Sequence, residues 1–462
     1  MRADPHKLLM GFYFYPRGGS AHACDAISGQ LIAGGFDVTL LAGSRSDNAG
    51  LGSAEEFYSG TEVRSVDFTG AIASEDPLGF DGGAGTAPMH ASYEDRRDAE
   101  DPVFASLDDR AFERQVEAWS RELAAAGAAE ADVLYLHHLT PMNEAARRIA
   151  PEVPVIGHIH GSELLMLERI AAGSPAGWTH DGIWAQRMCD WAAGCTRIVV
   201  NSPKGLKRAS ALLDLDPDRF ALIPNGFGRD FAPRHTSRRS HWHRHLVDEP
   251  KGWGPGGAPG EVGYRDEDLG ALEGTTLLAI GRFTEVKRLP LLIEAFAAAK
   301  PRFRQPTGLV LLGGYPGEWE GEHPLDAIER VGATDVFLAG WQPHRDLPAF
   351  LNASDLLVHP SVNEQFGQVL VEAMACGVPA IAVERGGPAT IVDHDETGWL
   401  IGPDDREALT EAIVQAVNDP VGRQLIGRAA RGKAVESYSW EEIGSRIAEL
   451  VRGLPATVSQ VG

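Results

Sequence analysis

The sequence predicts an α/β protein built from two doubly wound parallel sheets. Three observations lead there: the chain is 462 residues long, its apolar runs alternate with helix-length segments, and that alternation stops and restarts around an irregular stretch. A chain of this length exceeds what one hydrophobic core organises, so two domains are expected.

The first alternation opens LLMGFYF, turns at YPRGGS, continues as AHACDAISGQLIAGG and returns as FDVTLLAG. Apolar β-prone runs around a small-residue helix are the pattern of a parallel βαβ unit, whose strands are buried on both faces and need not alternate. Further strands are expected at 133–136, 155–158, 197–201 and 220–224. Between positions 68 and 109 the chain is rich in Gly, Pro and acidic residues. Such composition disfavours a regular sheet element and reads as a mobile surface insertion or lid.

A second irregular stretch, 229–274, carries the basic HTSRRSHWHRHL and the Gly/Pro-rich GWGPGGAPG, and the domain boundary is placed there. The rhythm then resumes with TTLLAIGRF, LVLLGG, VFLAGW, DLLVHPS and PAIAVERGG. The expected layout is a first domain over 1–228 containing the acidic insertion, an interdomain linker over 229–274 and a second domain over 275–438. A final helix, 439–462, follows the last strand and is free to pack back on the first domain.

Composition excludes several roles. A formal net charge of −23 opposes broad nucleic-acid binding and adhesion to an anionic membrane, both of which need basic surface. No run of about 18 uncharged apolar residues is present, so a membrane span is not expected. Cys24, Cys189, Cys195 and Cys376 form no C-x-x-C pair and read as free buried thiols of a reducing cytoplasm. Richness in Gly, Ala and Arg points to a GC-rich bacterial genome.

In open α/β sheets, ligands bind beyond the carboxyl ends of strands, where helix N-termini attract phosphate. Gly18 and Gly19, in the turn after the first strand, let the backbone approach an anion closely, although an ordinary tight turn has the same composition and no G-x-G-x-x-G is present. Arg282 follows a strand of the second half and Lys287 lies five residues on, a fork and a point charge able to converge on a diphosphate. The most informative run is VNEQFGQVLVEAMACGVP, 362–379. It reads as a strand exit, a helix starting near Phe366, and Gly377 and Pro379 closing it. Glu364 falls before the helix and Glu372 about two turns in, so the two carboxylates can address different portions of one elongated ligand. A cap-region carboxylate and a salt-bridged helix residue would read the same way.

GRFTEVKR, NEQFGQVLVEAMACGVPAIA and GGPATIVDHDETGWLI together resemble the C-terminal half of the family 4 retaining glycosyltransferases of GT-B fold. RGGSAH, HIHGSE, NSPKGL and IPNGF match that family's N-terminal landmarks in order. The resemblance implies a nucleotide-sugar site in a cleft between two Rossmann-like domains. In it Glu364 holds sugar hydroxyls, Glu372 holds the ribose, and Arg282 and Lys287 neutralise the diphosphate. The amides around Phe366, Gly367, Gln368 and Val369 contact sugar and phosphate, and the Gly19 amide approaches from the facing domain. His160 matches a histidine near the reacting carbon.

The implied activity is retaining, front-face transfer of a hexose from a nucleoside diphosphate donor, UDP by family analogy, to a hydroxyl of a small-molecule or glycan acceptor. It implies no cofactor and no metal. The two D-x-D runs, 214–216 and 393–395, lie in turns and read as structural, and the His241, His243, His245 stretch reads as basic surface rather than a zinc site. A nucleotide-sugar epimerase and a non-catalytic sugar-nucleotide binder of the same fold are the alternatives. The reading is compatible with a homodimer and expects neither nucleic acid nor membrane as partner.

Overall fold

The computed structural model describes residues 7–47, 52–94 and 101–454. The chain divides into two compact units, one formed by residues 1–225 with 440–462 and the other by 226–439.

The first unit is built on a seven-stranded sheet: β1 (Lys7–Phe12), β2 (Asp37–Ser44), β3 (Glu62–Asp67), β4 (Val133–His137), β5 (Val155–Ile159), β6 (Arg197–Val200) and β7 (Phe220–Leu222). Their order is β3-β2-β1-β4-β5-β6-β7 and every pairing is parallel. Successive residues along a strand enter different cores. Leu9, Leu134 and Leu136 join one apolar cluster, while Leu8, Met10, Val133 and Tyr135 join another. Both faces are covered, which is why these strands read as continuous apolar runs. The edge strand β3 has only one fully buried residue, and its mixed sequence EVRSVD gave no apolar run to find.

In the stretch 68–109, expected to be a mobile insertion, the described residues include a packed apolar set. Phe68, Met89, Ala91, Tyr93 and Phe104 are all under 5% exposed. Gln115 ties it down, accepting from Tyr13 Oη at 2.9 Å and donating to the Met89 carbonyl at 2.6 Å. Acidic, Gly and Pro residues are frequent in its composition, but the apolar ones interleaved with them decide its position. The expected absence of regular sheet in it holds for its described residues. The C-terminal helix Trp440–Arg452 belongs to this unit, with Ile443, Ile447 and Val451 buried in the cluster that contains Ile27 and Leu31 of the helix Gly18–Ala33.

The second unit is built on a six-stranded parallel sheet: β8 (Thr275–Gly281), β9 (Thr307–Gly313), β10 (Val336–Gly340), β11 (Leu356–His359), β12 (Ala380–Val383) and β13 (Gly398–Ile401). The order is β10-β9-β8-β11-β12-β13. The stretch 229–274, expected as a linker, folds with this unit. Trp242 and Leu246 are buried beside Phe350, and Trp253 stacks on Phe283 at 5.4 Å while donating to the Gly314 carbonyl at 2.9 Å. Of the three histidines expected on a basic surface, His241 and His245 turn inward, their ring centroids 4.5 and 4.6 Å from that of Phe350, while His243 stays outside and pairs with Asp248. Among the described residues no helix is long and apolar enough to cross a membrane.

Candidate functional site

Each sheet has one place where connections leave in opposite directions, between β1 and β4 in the first unit and between β8 and β11 in the second. Loops leaving such neighbours diverge and open a crevice at the carboxyl ends. The candidate residues gather at these two places.

In the first unit β1 leads into the helix Gly18–Ala33. Gly18 has φ +71°, which favours glycine, and a methyl group placed on Gly18 or Gly19 would meet nothing within 4 Å. Both glycines are exposed, and Arg17 at the helix N-cap makes no side-chain cap bond. On the neighbouring strands β4 ends at His137, and β5 ends at Ile159 between His158 and His160. His137 is the register partner of His158, and His160 lies two residues further on. His137 and His158 are buried and His160 is partly exposed. The His137 and His160 rings lie 13° from parallel, with His137 Nδ1 and His160 Nε2 hydrogen-bonded at 2.9 Å. Tyr135 Oη meets His158 Nδ1 at 3.0 Å.

Burial lowers the pKa of all three imidazoles, His158 to about 3, and neighbouring histidines add to the effect. They are neutral at pH 7. His138, at φ +69°, lies with its ring centroid 4.6 Å from that of His160 and bonds Glu163, its Nδ1 2.6 Å from Oε1. Burial alone would raise the Glu163 carboxyl. The His138 charge and hydrogen bond and the Gly161 amide, which donates to Oε2 at 2.9 Å, outweigh it and hold Glu163 below the usual range. Of this cluster the sequence pointed only to His160. The H-H after a strand and the H-x-H-G-S-E after its neighbour were visible, but which faces they shared depended on strand pairing.

In the second unit β8 ends at Gly281, and Arg282 follows, exposed, with no carboxylate pairing with it among the described residues. Lys287 sits in a short 3-10 turn, Glu285–Lys287, and its Nζ is bonded to Glu364 Oε1. The loop leaving β11 is stitched to that turn, for Val362 N and Ser361 Oγ both donate to the Val286 carbonyl, at 3.0 and 3.2 Å. His359 Nε2 approaches Glu364 Oε1 at 3.2 Å. Burial would raise the Glu364 carboxyl, but Lys287 and His359 hold it far below its ordinary value, so it stays a carboxylate. Burial, with Lys287 adding to it, leaves His359 below its ordinary value despite its bond to Glu364.

The helix expected near Phe366 spans Gln368–Ala375. Gly367, at φ +102°, is its N-cap, and Phe366 is buried against Tyr438. A methyl group on Gly387 would lie 2.0 Å from the Phe366 carbonyl oxygen, so only glycine lets these backbones approach. Gly377, at φ +76°, closes the helix as expected. Val369 and Gln368 form its first turn. Gln368 Nε2 donates to the Gly226 carbonyl at 2.6 Å and to Glu372 Oε1 at 3.1 Å. Glu372 is 2% exposed, and its Oε1 also accepts from His344 Nε2 at 2.8 Å. Burial would lower the pKa of His344, but the hydrogen bond and charge of Glu372 outweigh it and raise it.

Lys287 and Glu364 are therefore brought together, as are Gln368 and Glu372, while no bond among the described residues ties Arg282 to either glutamate. A separate hollow of about 310 Å³, lined by Phe283, Thr284, Glu285, Arg288 and Glu322 among others, includes none of the expected residues. The D-x-D runs have structural partners. Asp216 caps a 3-10 turn, Asp214 ends a helix at φ +52°, and Asp393 pairs with Lys433 at 2.7 Å.

Residues 84–230 match the model of Glycosyltransferase Family 4 and residues 266–451 that of Glycosyl transferases group 1. A D-inositol 3-phosphate glycosyltransferase of Kribbella flavida is 31% identical over 192 residues, covering 40% of this chain and 45% of that protein. A lipopolysaccharide 1,2-N-acetylglucosaminetransferase of Salmonella typhimurium is 32% identical over 190 residues, 39% of this chain and 49% of that one. The chain thus spans about half the length of these curated relatives. Among solved structures, Anabaena Alr3699/HepE in complex with UDP and glucose has a TM-score of 0.65 at 18% identity, over 97% of this chain and 100% of that one. A sucrose-phosphate synthase from Thermosynechococcus elongatus has a TM-score of 0.66 at 18% identity, over 97% and 98%. At that identity the likeness is one of fold, two parallel-sheet units of GT-B type.

Proposed function

We propose that this chain, which belongs to the glycosyltransferases of the group 1 and family 4 type, transfers a hexose from a nucleoside diphosphate sugar to a hydroxyl of a small-molecule or glycan acceptor. The observation that carries this reading is the group at the carboxyl end of the second sheet: Glu364 held ionised by Lys287, ahead of a helix whose first turn carries Gln368 and whose second carries Glu372. A carboxylate accepts hydrogen bonds from sugar hydroxyls, and a cation with helix-end amides accepts a diphosphate. In this reading Glu364 takes hydroxyls of the hexose and Glu372 those of the ribose. Arg282, Lys287 and the amides from Phe366 to Val369 take the diphosphate, and the Gly18 and Gly19 turn adds a further anion contact.

Breaking the bond between sugar and phosphate develops positive charge on the sugar ring and negative charge on the departing diphosphate. Fixed positive groups at the diphosphate act most strongly in that state, which is where stabilisation raises the rate. They do the work a divalent cation does elsewhere, so the reaction proceeds without metal at the diphosphate. Glu364, committed to Lys287 and His359, orients the sugar and is not the nucleophile. Attack comes from the face the leaving group departs from, a phosphate oxygen takes the acceptor's proton, and the anomeric configuration is retained. His160, neutral and partly exposed, donates or accepts one hydrogen bond to the sugar. The nucleotide is UDP, by analogy with the UDP held in the Anabaena structure.

The test incubates a panel of nucleoside diphosphate hexoses with polyol and glycan acceptors, following diphosphate release and the product's anomeric signal by NMR. Acceptor-dependent UDP release with retention, not reduced by a chelator, is expected. An inverted product, a 2-epimer of the donor, or donor binding without turnover would replace this reading by an inverting transferase, an epimerase or a silent binder.

A further inference from the structure

Three imidazoles stand together at the end of the first sheet, and among the described residues none of their ring nitrogens is bonded to a carboxylate. His158 and His160 are two apart on β5 and its exit, so they share a face, and His137 enters from the paired position on β4. The ring centroids are 4.2 Å apart for His158 and His160, 5.1 Å for His137 and His158, and 5.2 Å for His137 and His160. One nitrogen from each lies within 4.8 Å of the other two. The nearby carboxylate, Glu163, is occupied by His138 and by backbone amides.

The buried Nε2 atoms of His137 and His158 have no hydrogen-bond partner among the described residues. A buried polar nitrogen without a partner costs about 1–3 kcal/mol, so such a pair calls for an explanation. His158 already has the second contact that orients a ligand, Tyr135 Oη on Nδ1 at 3.0 Å, which leaves Nε2 as the nitrogen free to coordinate.

We propose that His137, His158 and His160 form a binding site for a borderline divalent cation, zinc, whose occupancy withdraws His160 from the sugar and slows transfer. Three neutral nitrogens with no oxygen donor suit zinc and exclude magnesium or calcium, which need carboxylate or carbonyl oxygen. Zinc–nitrogen bonds of about 2.0–2.1 Å place tetrahedral ligand nitrogens ~3.4 Å apart. The partly exposed His160, whose Nε2 now bonds His137 Nδ1 at 2.9 Å, turns toward the Nε2 atoms of His137 and His158 for all three to hold one ion. The fourth position then faces the exposed side of His160. The site uses none of the side chains assigned above to the diphosphate. Its inhibitory consequence rests on the role proposed above for His160, whereas cation binding does not.

The test uses the full chain freed of metal with a chelator. It is titrated with Zn²⁺ against a chromophoric indicator, and with Co²⁺ for the absorption bands of a tetrahedral site. One equivalent is expected. His160→Ala, at a partly exposed position, and His158→Phe should each weaken binding at least ~100-fold, beyond the 10–100-fold of a lost outer contact. Cooperative unfolding of both variants shows that they are folded. His243→Ala, in the histidine stretch of the second unit, should bind as the parent does. No stoichiometric uptake, uptake that survives both variants, or uptake lost in His243→Ala overturns the site. One equivalent of zinc should lower transfer at least about tenfold and a chelator restore it, and an occupied enzyme that keeps its metal-free rate overturns the withdrawal of His160. Because the titration needs no turnover, failure of the site and failure of the proposed activity are read separately.

Discussion

The two sheets place histidine at equivalent positions and treat it in opposite ways. At the end of β4 and β5, His137, His158 and His160 face one another, and burial, which outweighs the nearby Glu163 carboxylate at His158, keeps them neutral. At the end of β11 and beside the helix Gln368–Ala375, His359 and His344 each meet a glutamate. His344 is thereby raised above its ordinary pKa, while His359 stays below it because burial, with Lys287 adding to it, outweighs its bond to Glu364. The lesson is that burial is set against the charges around each imidazole: Glu372 prevails over burial at His344, whereas burial and Lys287 prevail over Glu364 at His359. A neutral first site suits contact with an uncharged sugar, and a charge-paired second site suits an anion.

The comparison can be broken at several points. The largest effect is expected at the anion end. Arg282→Ala should lower turnover about 100-fold or more, as for loss of an electrostatic anchor, and near parental turnover would show that the diphosphate is held elsewhere. Lys287→Met should lower turnover similarly and also cost about 3 kcal/mol of stability, because Glu364 is left buried without its cation. The double variant Lys287→Met with Glu364→Gln should recover most of that stability but not the rate. Recovery of both would mean that the pair is structural only.

Next comes His160→Ala, expected to reduce turnover roughly tenfold or more with little change in denaturation midpoint, since the ring is partly exposed. A variant that loses stability and keeps its rate would reassign His160 to packing.

The smallest effect is at His344. Its pKa is raised in the folded state, so the stability it contributes is fully present below the ordinary histidine pKa of about 6.5 and is lost as pH rises through the raised value. His344→Gln should therefore destabilise more at about pH 5.5 than at pH 9, by less than about 1 kcal/mol because the side chain is 36% exposed. Urea midpoints at the two pH values check this, and equal losses would show that His344 and Glu372 are not paired in solution.

Much of the second unit's site was legible because it is local. Glu364, Gly367, Gln368, Glu372 and Gly377 lie within one loop and one short helix, and helical spacing relates them without knowledge of the rest of the chain. Lys287 was legible as a cation but its partner was not, since 77 positions separate it from Glu364. The first unit's histidines show the limit more sharply. His160 stood out only through a resemblance, while His137 was passed over because adjacency to it required the pairing of β4 with β5. The stretches 68–109 and 229–274 were misread by composition, which counts residues but not the faces they present.

The sequence alone determined the two alternating βα rhythms, the apolar strands buried on both faces, and the helix closed by Gly377. These follow from periodicity and backbone preference over a few neighbouring residues. Tertiary structure alone decided that acidic and Gly/Pro-rich stretches would be packed, that Lys287 would meet Glu364, and that three histidines would share one end of a sheet. Each depends on residues far apart in the chain, whose proximity is set by strand order and register, and no local propensity encodes that.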